Sequence, residues 1–199
     1  MMPLEVLFAL IAFAFVGSVT PGPNNLMLLA SGANFGVRRT LPHFLGIVLG
    51  WMLMVVLVGV GLLQLFETLP IAYAALRVFS VGYLIYLAWK IATSGSPLAR
   101  GQRHPMTALQ AALFQWVNPK AWAMALSAVS VYAPSQSLAA VLLIALICGL
   151  INTPSIFIWV VMGSKLRRFL EQGRRLRLFN YTMAALLLAT LYPILFTLA

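Results

Sequence analysis

Six long apolar runs constrain this chain more than any other feature. They cover about residues 4–34, 41–64, 70–92, 107–131, 137–162 and 178–198. Each run is long enough to cross a bilayer, whose hydrocarbon core takes roughly 20 helical residues. The chain is 62% hydrophobic and only 8% charged, whereas a soluble domain carries about 25% charged residues. The sequence therefore predicts an all-α integral membrane protein with six transmembrane helices that contact the lipid bilayer.

The basic residues predict the direction of these helices. Eleven of the 13 Lys and Arg residues fall in loops or helix ends on one side of the predicted membrane, and the loops on the other side hold none. The positive-inside rule places the eleven in the cytoplasm and both termini outside. The net charge of +10 does not indicate a nucleic-acid partner, because the basic residues do not share one exposed face with aromatic residues.

Two of the apolar runs are interrupted by residues that break helices. Residues 20–25 interrupt the first run, and Asn118-Pro119 interrupts the fourth. Irregular backbone at membrane depth is tolerated only where protein buries it or where it lines a cavity. With three helices in each half, the second half enters from the opposite face. We therefore expect a single transporter domain, 1–199, with inverted halves of about 1–95 and 105–199 and broken helices 1 and 4.

The first break offers groups for both ends of a zwitterion. Pro21 and Pro23 each leave a carbonyl one turn earlier without its helical donor, and Gly22 lets the backbone turn. Asn24 and Asn25 are expected to cap the half-helix that follows, whose N-terminus favours a carboxylate. These five residues are therefore candidate substrate-binding residues. The alternative is a simple proline kink that packs against a neighbouring helix.

Lys120, with Asn118 and Pro119 just before it, is the second group of candidate substrate-binding residues. We expect Lys120 near the middle of the membrane, beyond the reach of its side chain to either surface. The chain has no Asp, and its three Glu residues fall near span ends or in loops. A charge at this depth should face a cavity or a partner. The predicted counter-ion is a substrate carboxylate; the alternative is that carbonyls freed at Pro119 hold the ammonium.

A third interruption is expected in the fifth run, at residues 152–155. Asn152 and Thr153 are candidate pathway residues there, although hydroxyl groups also re-satisfy backbone freed by a proline such as Pro154. In the second run, the pair Gly46 and Gly50 predicts close helix packing. The two histidines are separated at a helix end and in a loop, and the chain has no Asp, so neither a metal site nor a cofactor is expected.

Taken together, these motifs resemble the LysE/RhtB family of bacterial amino-acid exporters. The resemblance runs in order along nearly the whole chain and rests on Thr20-Pro21-Gly22-Pro23-Asn24, Gly36-Val37-Arg38-Arg39, Gly46…Gly50, residues 82–90 and Val117-Asn118-Pro119-Lys120-Ala121. It implies an exporter in the bacterial inner membrane, driven by the proton-motive force, with periplasmic termini and an amino acid as its small-molecule partner. Residues 87–94 are most similar to members that export cysteine and O-acetylserine. A monomer and a homodimer both stay open.

The charges within the predicted membrane favour a neutral substrate. A basic substrate side chain would need neutralising in a site of low dielectric, and no carboxylate is expected at that depth. We therefore expect small neutral amino acids or derivatives, of the cysteine/O-acetylserine or the threonine/homoserine type. A passive channel and a transporter for another solute are the alternatives. A membrane enzyme is least favoured, because the sequence contains no motif that pairs a nucleophile with a base.

Overall fold

The computed structural model describes residues 2–62, 70–93, 104–133, 137–170 and 173–192, without the side chains of 62, 70–77 and 173. These residues form eight α-helices and no strand. The helices are α1 (Leu4–Val19), α2 (Pro23–Phe35), α3 (Val37–Leu57), α4 (Pro70–Ala92), α5 (Ala108–Phe114), α6 (Pro119–Tyr132), α7 (Leu138–Phe169) and α8 (Gly173–Ala189). A π-helical turn, Val58–Leu62, continues α3, and a 3₁₀ turn, Gln115–Val117, follows α5.

The first predicted break separates α1 from α2. The chain is extended at Thr20 and again at Gly22, where φ is −177°. Pro23 occupies the first turn of α2, a position where its missing N–H leaves no helical bond unmade. The axes of α1 and α2 differ by 52°. The first apolar run is therefore a bent pair of helices, as expected.

Helix α2 lies at the centre of the protein, since 11 of its 13 residues are buried. It packs closely against α7, and glycines permit this approach. A Cβ on Gly163 of α7 would meet the backbone of Leu29 and would lie 2.9 Å from the nitrogen of Ala33. At its end, Gly36 has a φ of 78°, which glycine adopts without strain. That one residue turns the chain from α2 into α3.

The second predicted break separates α5 from α6. Asn118 is extended between the 3₁₀ turn and α6, and Pro119 begins α6. Helix α5 packs against α3, where Gly46 and Gly50 leave room for its backbone: a Cβ on Gly50 would lie 2.5 Å from the Cα of Ala112. The close packing predicted for this glycine pair is confirmed.

The interruption expected at residues 152–155 is wrong, because α7 is one continuous helix from Leu138 to Phe169. The Thr153 Oγ1 donates to the Gly149 carbonyl at 2.7 Å, and the Ser155 Oγ donates to the Ile151 carbonyl at 2.7 Å. These hydroxyls bond to carbonyls one turn earlier on both sides of Leu150, whose carbonyl is the one that Pro154 leaves without a helical donor. Helix α7 also continues beyond the expected end at 162, α8 begins at Gly173 instead of 178, and α3 begins at Val37 instead of 41.

The outer surface is suited to lipid. Leucines at every fourth position of α3 are 37–63% exposed and form one apolar stripe, Leu41, Leu45, Leu49 and Leu53. Two continuous helical segments, Val37–Gly61 and Leu138–Phe169, are long and apolar enough to cross a membrane, and the bent pair α1–α2 makes a third. Val78–Ala92 and Ala108–Val117 are shorter apolar helices within the described ranges. The arrangement of six spans as an inverted repeat stays a prediction.

Candidate functional site

The two breaks meet at a small, partly open cavity. It has a volume of about 30 Å³, which is about the share of one water molecule in the liquid. Six of the ten predicted substrate-binding residues line it: Gly22, Asn24, Asn25, Asn118, Lys120 and Asn152. Residues that are up to 130 positions apart in the sequence are thus brought together, with α7 forming the wall opposite the breaks.

The Lys120 ammonium crosses from the second break to the first. Its Nζ donates to the Thr20 carbonyl at 2.7 Å, to the Thr20 Oγ1 at 2.8 Å and to the Pro21 carbonyl at 3.3 Å. The interpretation of a substrate carboxylate as the counter-ion stays a prediction, and the alternative, in which carbonyls hold the ammonium, named the wrong carbonyls. The ammonium is held by carbonyls, but by those of the first break rather than those before Pro119. An ammonium has three donors, and these three acceptors match them.

Gly22 permits this close approach of the two breaks. A Cβ at this position would lie 2.7 Å from the Lys120 Cδ and 3.2 Å from its Nζ. Because Gly22 is in an extended conformation that any residue adopts, the requirement for glycine is one of space. The lysine stem therefore lies directly against bare backbone at the first break.

Asn25 does not cap α2, so that prediction is wrong. Its Nδ2 donates to the Ser18 carbonyl at 2.7 Å and to the Thr20 carbonyl at 2.8 Å. No side chain caps the N-terminus of α2 within the described residues. Asn25 is 3% exposed and supplies donors to carbonyls at the end of α1. The Thr20 carbonyl thus receives both this amide and the Lys120 ammonium.

Asn24 does not cap α2 either, but pairs with Gln115 on the 3₁₀ turn after α5. The Asn24 Nδ2 donates to the Gln115 Oε1 at 2.8 Å, and the Gln115 Nε2 donates back to the Asn24 Oδ1 at 3.2 Å. Gln115 is fully buried. This double amide contact ties the start of α2 to the segment just before the second break.

The remaining predicted residues do not line the cavity as the structure describes it. Pro21 contributes its carbonyl to Lys120, while Pro23 and Pro119 start α2 and α6. Thr153 is directed to its own helix through the bond to Gly149. These prolines shape the breaks, and Thr153 has a structural contact only.

Four contributors to the site were missed in the sequence. Thr20 belongs to the predicted break but was not taken as a binding residue, although both of its oxygens contact Lys120. The Ser18 Oγ is buried at the cavity and has no hydrogen-bond partner among the described residues. The Trp51 Nε1 donates to the Ala121 carbonyl at 3.2 Å. Gln115 was detectable as a polar residue one turn before Asn118-Pro119 in an apolar run.

A larger cavity lies farther along α2, toward its C-terminal end. It has a volume of about 440 Å³, within the range of small-molecule sites. The ends of three helices and the segment before α5 line it, and its polar members include Ser31, Asn34, His43, Lys90, His104 and Gln110. His43, predicted to lie at a helix end, lies inside α3 instead, and its side chain is 2% exposed. No group of metal-binding residues occurs in the described part of the chain.

A helical protein with a lipid-facing apolar surface and broken helices that meet at a half-buried lysine is a multi-pass membrane transporter rather than an enzyme. The LysE type translocator family model matches residues 15–191. The chain therefore belongs to that family.

Individual relatives agree with this assignment. The cysteine/O-acetylserine efflux protein of Escherichia coli (strain K12) is 29% identical over 185 residues, which are 92% of this chain and 93% of the relative. The protein of the same name from Escherichia coli O139:H28 is 28% identical over 186 residues, covering 92% and 94% of the two chains. No solved structure matches the chain.

Proposed function

We propose that this protein exports small neutral amino acids or their derivatives across the bacterial inner membrane. The observation that carries the proposal is the Lys120 ammonium, which bridges the two helix breaks at a partly open cavity. The names of the E. coli relatives support cysteine and O-acetylserine as substrates. Threonine and homoserine are of similar size and charge, and form the second substrate type of this proposal.

The contacts of Lys120 suggest how a zwitterion binds. The cavity of about 30 Å³ is too small for an amino acid, so its walls must separate when a substrate enters. The substrate carboxylate then pairs with the Lys120 ammonium, and the substrate ammonium takes the Thr20 and Pro21 carbonyls that Lys120 releases. Lys120 exchanges neutral acceptors for a carboxylate, and the substrate ammonium takes the acceptors that are released, so no charge is left unpaired at membrane depth.

The neutral substrate side chain follows from the charges available. Lys120 is the one charged residue that lines the cavity within the described ranges, and the whole chain contains no Asp. Its positive charge serves the substrate carboxylate, so a lysine or arginine substrate would bring a second cation without a partner. Purified protein that exchanges lysine as fast as serine would contradict this.

The direction of transport and its energy source belong to the same proposal. The eleven basic residues on one side favour periplasmic termini and a cytoplasmic side where α2 ends and α3 begins. Inverted halves of about 1–95 and 105–199 would let the breaks, which meet at one cavity, open alternately to each side. The proton-motive force drives export in this scheme, with Lys120 or the substrate amine as the proton carrier.

Counterflow in proteoliposomes tests the proposal directly. Purified protein is loaded with unlabelled amino acid, and uptake of labelled cysteine, O-acetylserine, serine, threonine, homoserine, leucine and lysine is followed with and without a pH gradient. We expect saturable exchange of a small neutral amino acid, with a rate that depends on the gradient. Folded protein that exchanges none of them would point to another solute or to a channel.

Lys120→Met is the variant that tests the site. It keeps the length of the side chain and removes the charge, so we expect exchange to fall by at least 10-fold, consistent with the roughly 1.5–3 kcal/mol contributed by a hydrogen bond to a charged group. Lys165→Met is the matched control, because Lys165 lies exposed near the end of α7. Equal exchange by both variants would remove Lys120 from the site.

A further inference from the structure

Two side chains of α6 reach across to α1 at the small cavity. Lys120 and Met124 are one helical turn apart, so they lie on the same face of α6. Lys120 donates to the oxygens of Thr20 and Pro21. Met124 lies against Gly17 of α1, where an added Cβ would overlap the Met124 Cε and lie 3.0 Å from its Sδ. Both side chains line the cavity, so a thioether is the neighbour of the ammonium there.

The described wall of the cavity contains few apolar side chains. Apart from polar residues and glycines, its lining consists of Trp51, Ala121, Met124 and Ile156. A bound amino acid has its charged groups at Lys120 and at the carbonyls of the first break. Its side chain is then left to pack against these four residues, because apolar groups are favoured next to apolar surface. The four residues therefore surround the space for the substrate side chain.

Of these four residues, Met124 is the one with freedom to move. Trp51, Ala121 and Ile156 are only 3–4% exposed, and the Trp51 indole is held by its bond to the Ala121 carbonyl. Met124, in contrast, is partly buried and packs against the apolar cluster that contains Trp51 and Ala121. Its unbranched side chain adapts to its surroundings through several rotatable bonds. Space for a substrate side chain is therefore gained most readily at Met124.

We propose that Met124 determines which substrate side chains the site accepts. Given the function proposed above, on which this assignment rests, the substrate carboxylate binds Lys120 and the substrate side chain packs against the Met124 thioether. The thioether is the movable wall of the space for that side chain, and the recess at Gly17 sets how far this wall can withdraw. Small side chains fit beside it, whereas a larger apolar side chain, such as that of leucine, does not.

Relative exchange rates of the full-length protein in proteoliposomes test the role of Met124. Counterflow of L-serine, O-acetyl-L-serine and L-leucine is compared between variants. Met124→Ala removes the Cγ, Sδ and Cε atoms, so we expect the leucine-to-serine ratio to rise by about 10-fold or more, since one methylene in an apolar pocket changes discrimination by about 10- to 200-fold. Met124→Leu conserves the volume and should keep the wild-type ratio. An unchanged ratio in Met124→Ala would overturn the proposal. Met162→Ala is the matched control, because Met162 of α7 is 44% exposed and does not line the cavity.

A methyl group at Gly17 should have the opposite effect. Gly17→Ala moves the thioether out of its recess, so we expect the ratio of O-acetyl-L-serine to L-serine exchange to fall by about 10-fold. In the double variant Gly17→Ala/Met124→Ala the methyl group has no thioether to displace, and this fall should disappear. Effects of the two substitutions that simply add would mean that the residues do not share this space, which would contradict the proposal.

Chemical labelling covers the case in which Met124→Ala does not fold. Met124→Cys places a thiol at the proposed contact, and Cys148, the only cysteine of the chain, is fully buried. We expect L-serine at about ten times its Kd to slow the reaction of Met124→Cys with N-ethylmaleimide by about 10-fold, by mass action. Met162→Cys should react at the same rate with and without L-serine. No protection of Met124→Cys, in protein that exchanges L-serine, would show that the substrate does not reach this residue.

Failure of this proposal can be distinguished from failure of the proposed function. Lys120→Met should lower the exchange of all three amino acids together and leave their ratios unchanged, whereas Met124→Ala should change the ratios. A wild type that exchanges L-serine, with the same ratios in Met124→Ala, would exclude Met124 and leave the proposed function in place. Folded wild-type protein that exchanges no amino acid would overturn both.

Discussion

The two helix breaks use asparagine side chains in opposite ways. At the first, Asn25 donates backward to the Ser18 and Thr20 carbonyls, and no described side chain caps the N-terminus of α2. At the second, the Asn118 Oδ1 accepts forward from the Lys120 N–H at 3.2 Å. One asparagine therefore supplies donors to the end of a helix, and the other supplies an acceptor to the start of a helix.

This difference assigns separate roles to the breaks. The first break offers carbonyl oxygens, which suit an ammonium, whether that of Lys120 or that of a substrate. At the second break the Asn118 cap already accepts from the Lys120 N–H. What this break offers to a ligand is the Lys120 side chain. Two breaks that look equivalent in the sequence thus provide the acceptor half and the cationic half of one site.

Removing the asparagine at the first break should have the largest effect. In Asn25→Leu the buried Ser18 carbonyl loses the donor that Asn25 provides, which typically costs about 1–3 kcal/mol of stability. The Thr20 carbonyl would also change position relative to Lys120. We expect a lower thermal midpoint in detergent because of the lost donor. We also expect at least a 10-fold loss of exchange, the size of one lost charged hydrogen bond, because the Thr20 carbonyl no longer meets Lys120 as it does in the wild type. A thermal midpoint and an exchange rate equal to those of the wild type would show that the Ser18 carbonyl needs no donor.

A methyl group between the breaks should separate function from stability. Gly22→Ala places a Cβ against the Lys120 stem, which is flexible enough to move without unfolding the protein. We expect the thermal midpoint to stay near that of the wild type and exchange to fall by about 10-fold, the size of one lost charged contact. Gly82→Ala is the matched control, because a Cβ there meets nothing within 4 Å. Equal exchange by both variants would mean that Lys120 need not approach the first break.

Loss of the cap at the second break should have a smaller effect. Asn118→Ala removes an N-cap, which typically costs about 1 kcal/mol of stability. We expect exchange to fall by roughly fivefold, because the start of α6, which carries Lys120, is then positioned less precisely. Asn118→Ser keeps a capping oxygen and should recover most of this loss. The comparison of the breaks would be wrong if Asn118→Ala reduced stability more than Asn25→Leu, measured by thermal unfolding under the same conditions.

The breaks themselves could be predicted from the sequence, but the partners of their side chains could not. Two prolines flanking Gly22, and Pro119 after Asn118, leave the backbone few alternatives to a break. An asparagine, in contrast, carries both donors and acceptors, so the caps predicted for Asn24 and Asn25 were only one of the hydrogen-bonding arrangements open to them. Their partners, Gln115 and the end of α1, depend on how the helices pack.

A single proline did not predict a break reliably. Pro119 begins a new helix, whereas α7 passes through Pro154 without interruption. The Asn118 side chain caps the helix that follows it, while Thr153 and Ser155 bond within their own helix. His43 was expected at a helix end, but α3 begins six residues before it and the side chain is buried. Local sequence thus predicts the backbone better than the depth of a side chain.

The smallest effect on exchange is expected for Thr153 of α7, because neighbouring residues of this unbroken helix face different surroundings. Asn152 and Ile156, one turn apart, line the small cavity, whereas Thr153 bonds to Gly149 of its own helix. We expect Thr153→Val, which keeps the shape of the side chain, to change stability by no more than about 0.5 kcal/mol and exchange by less than about twofold. Asn152→Leu should reduce substrate affinity more, because it removes an amide from the cavity wall. If Thr153→Val abolished counterflow and Asn152→Leu did not, the face that α7 presents to the two breaks would have to be reassigned.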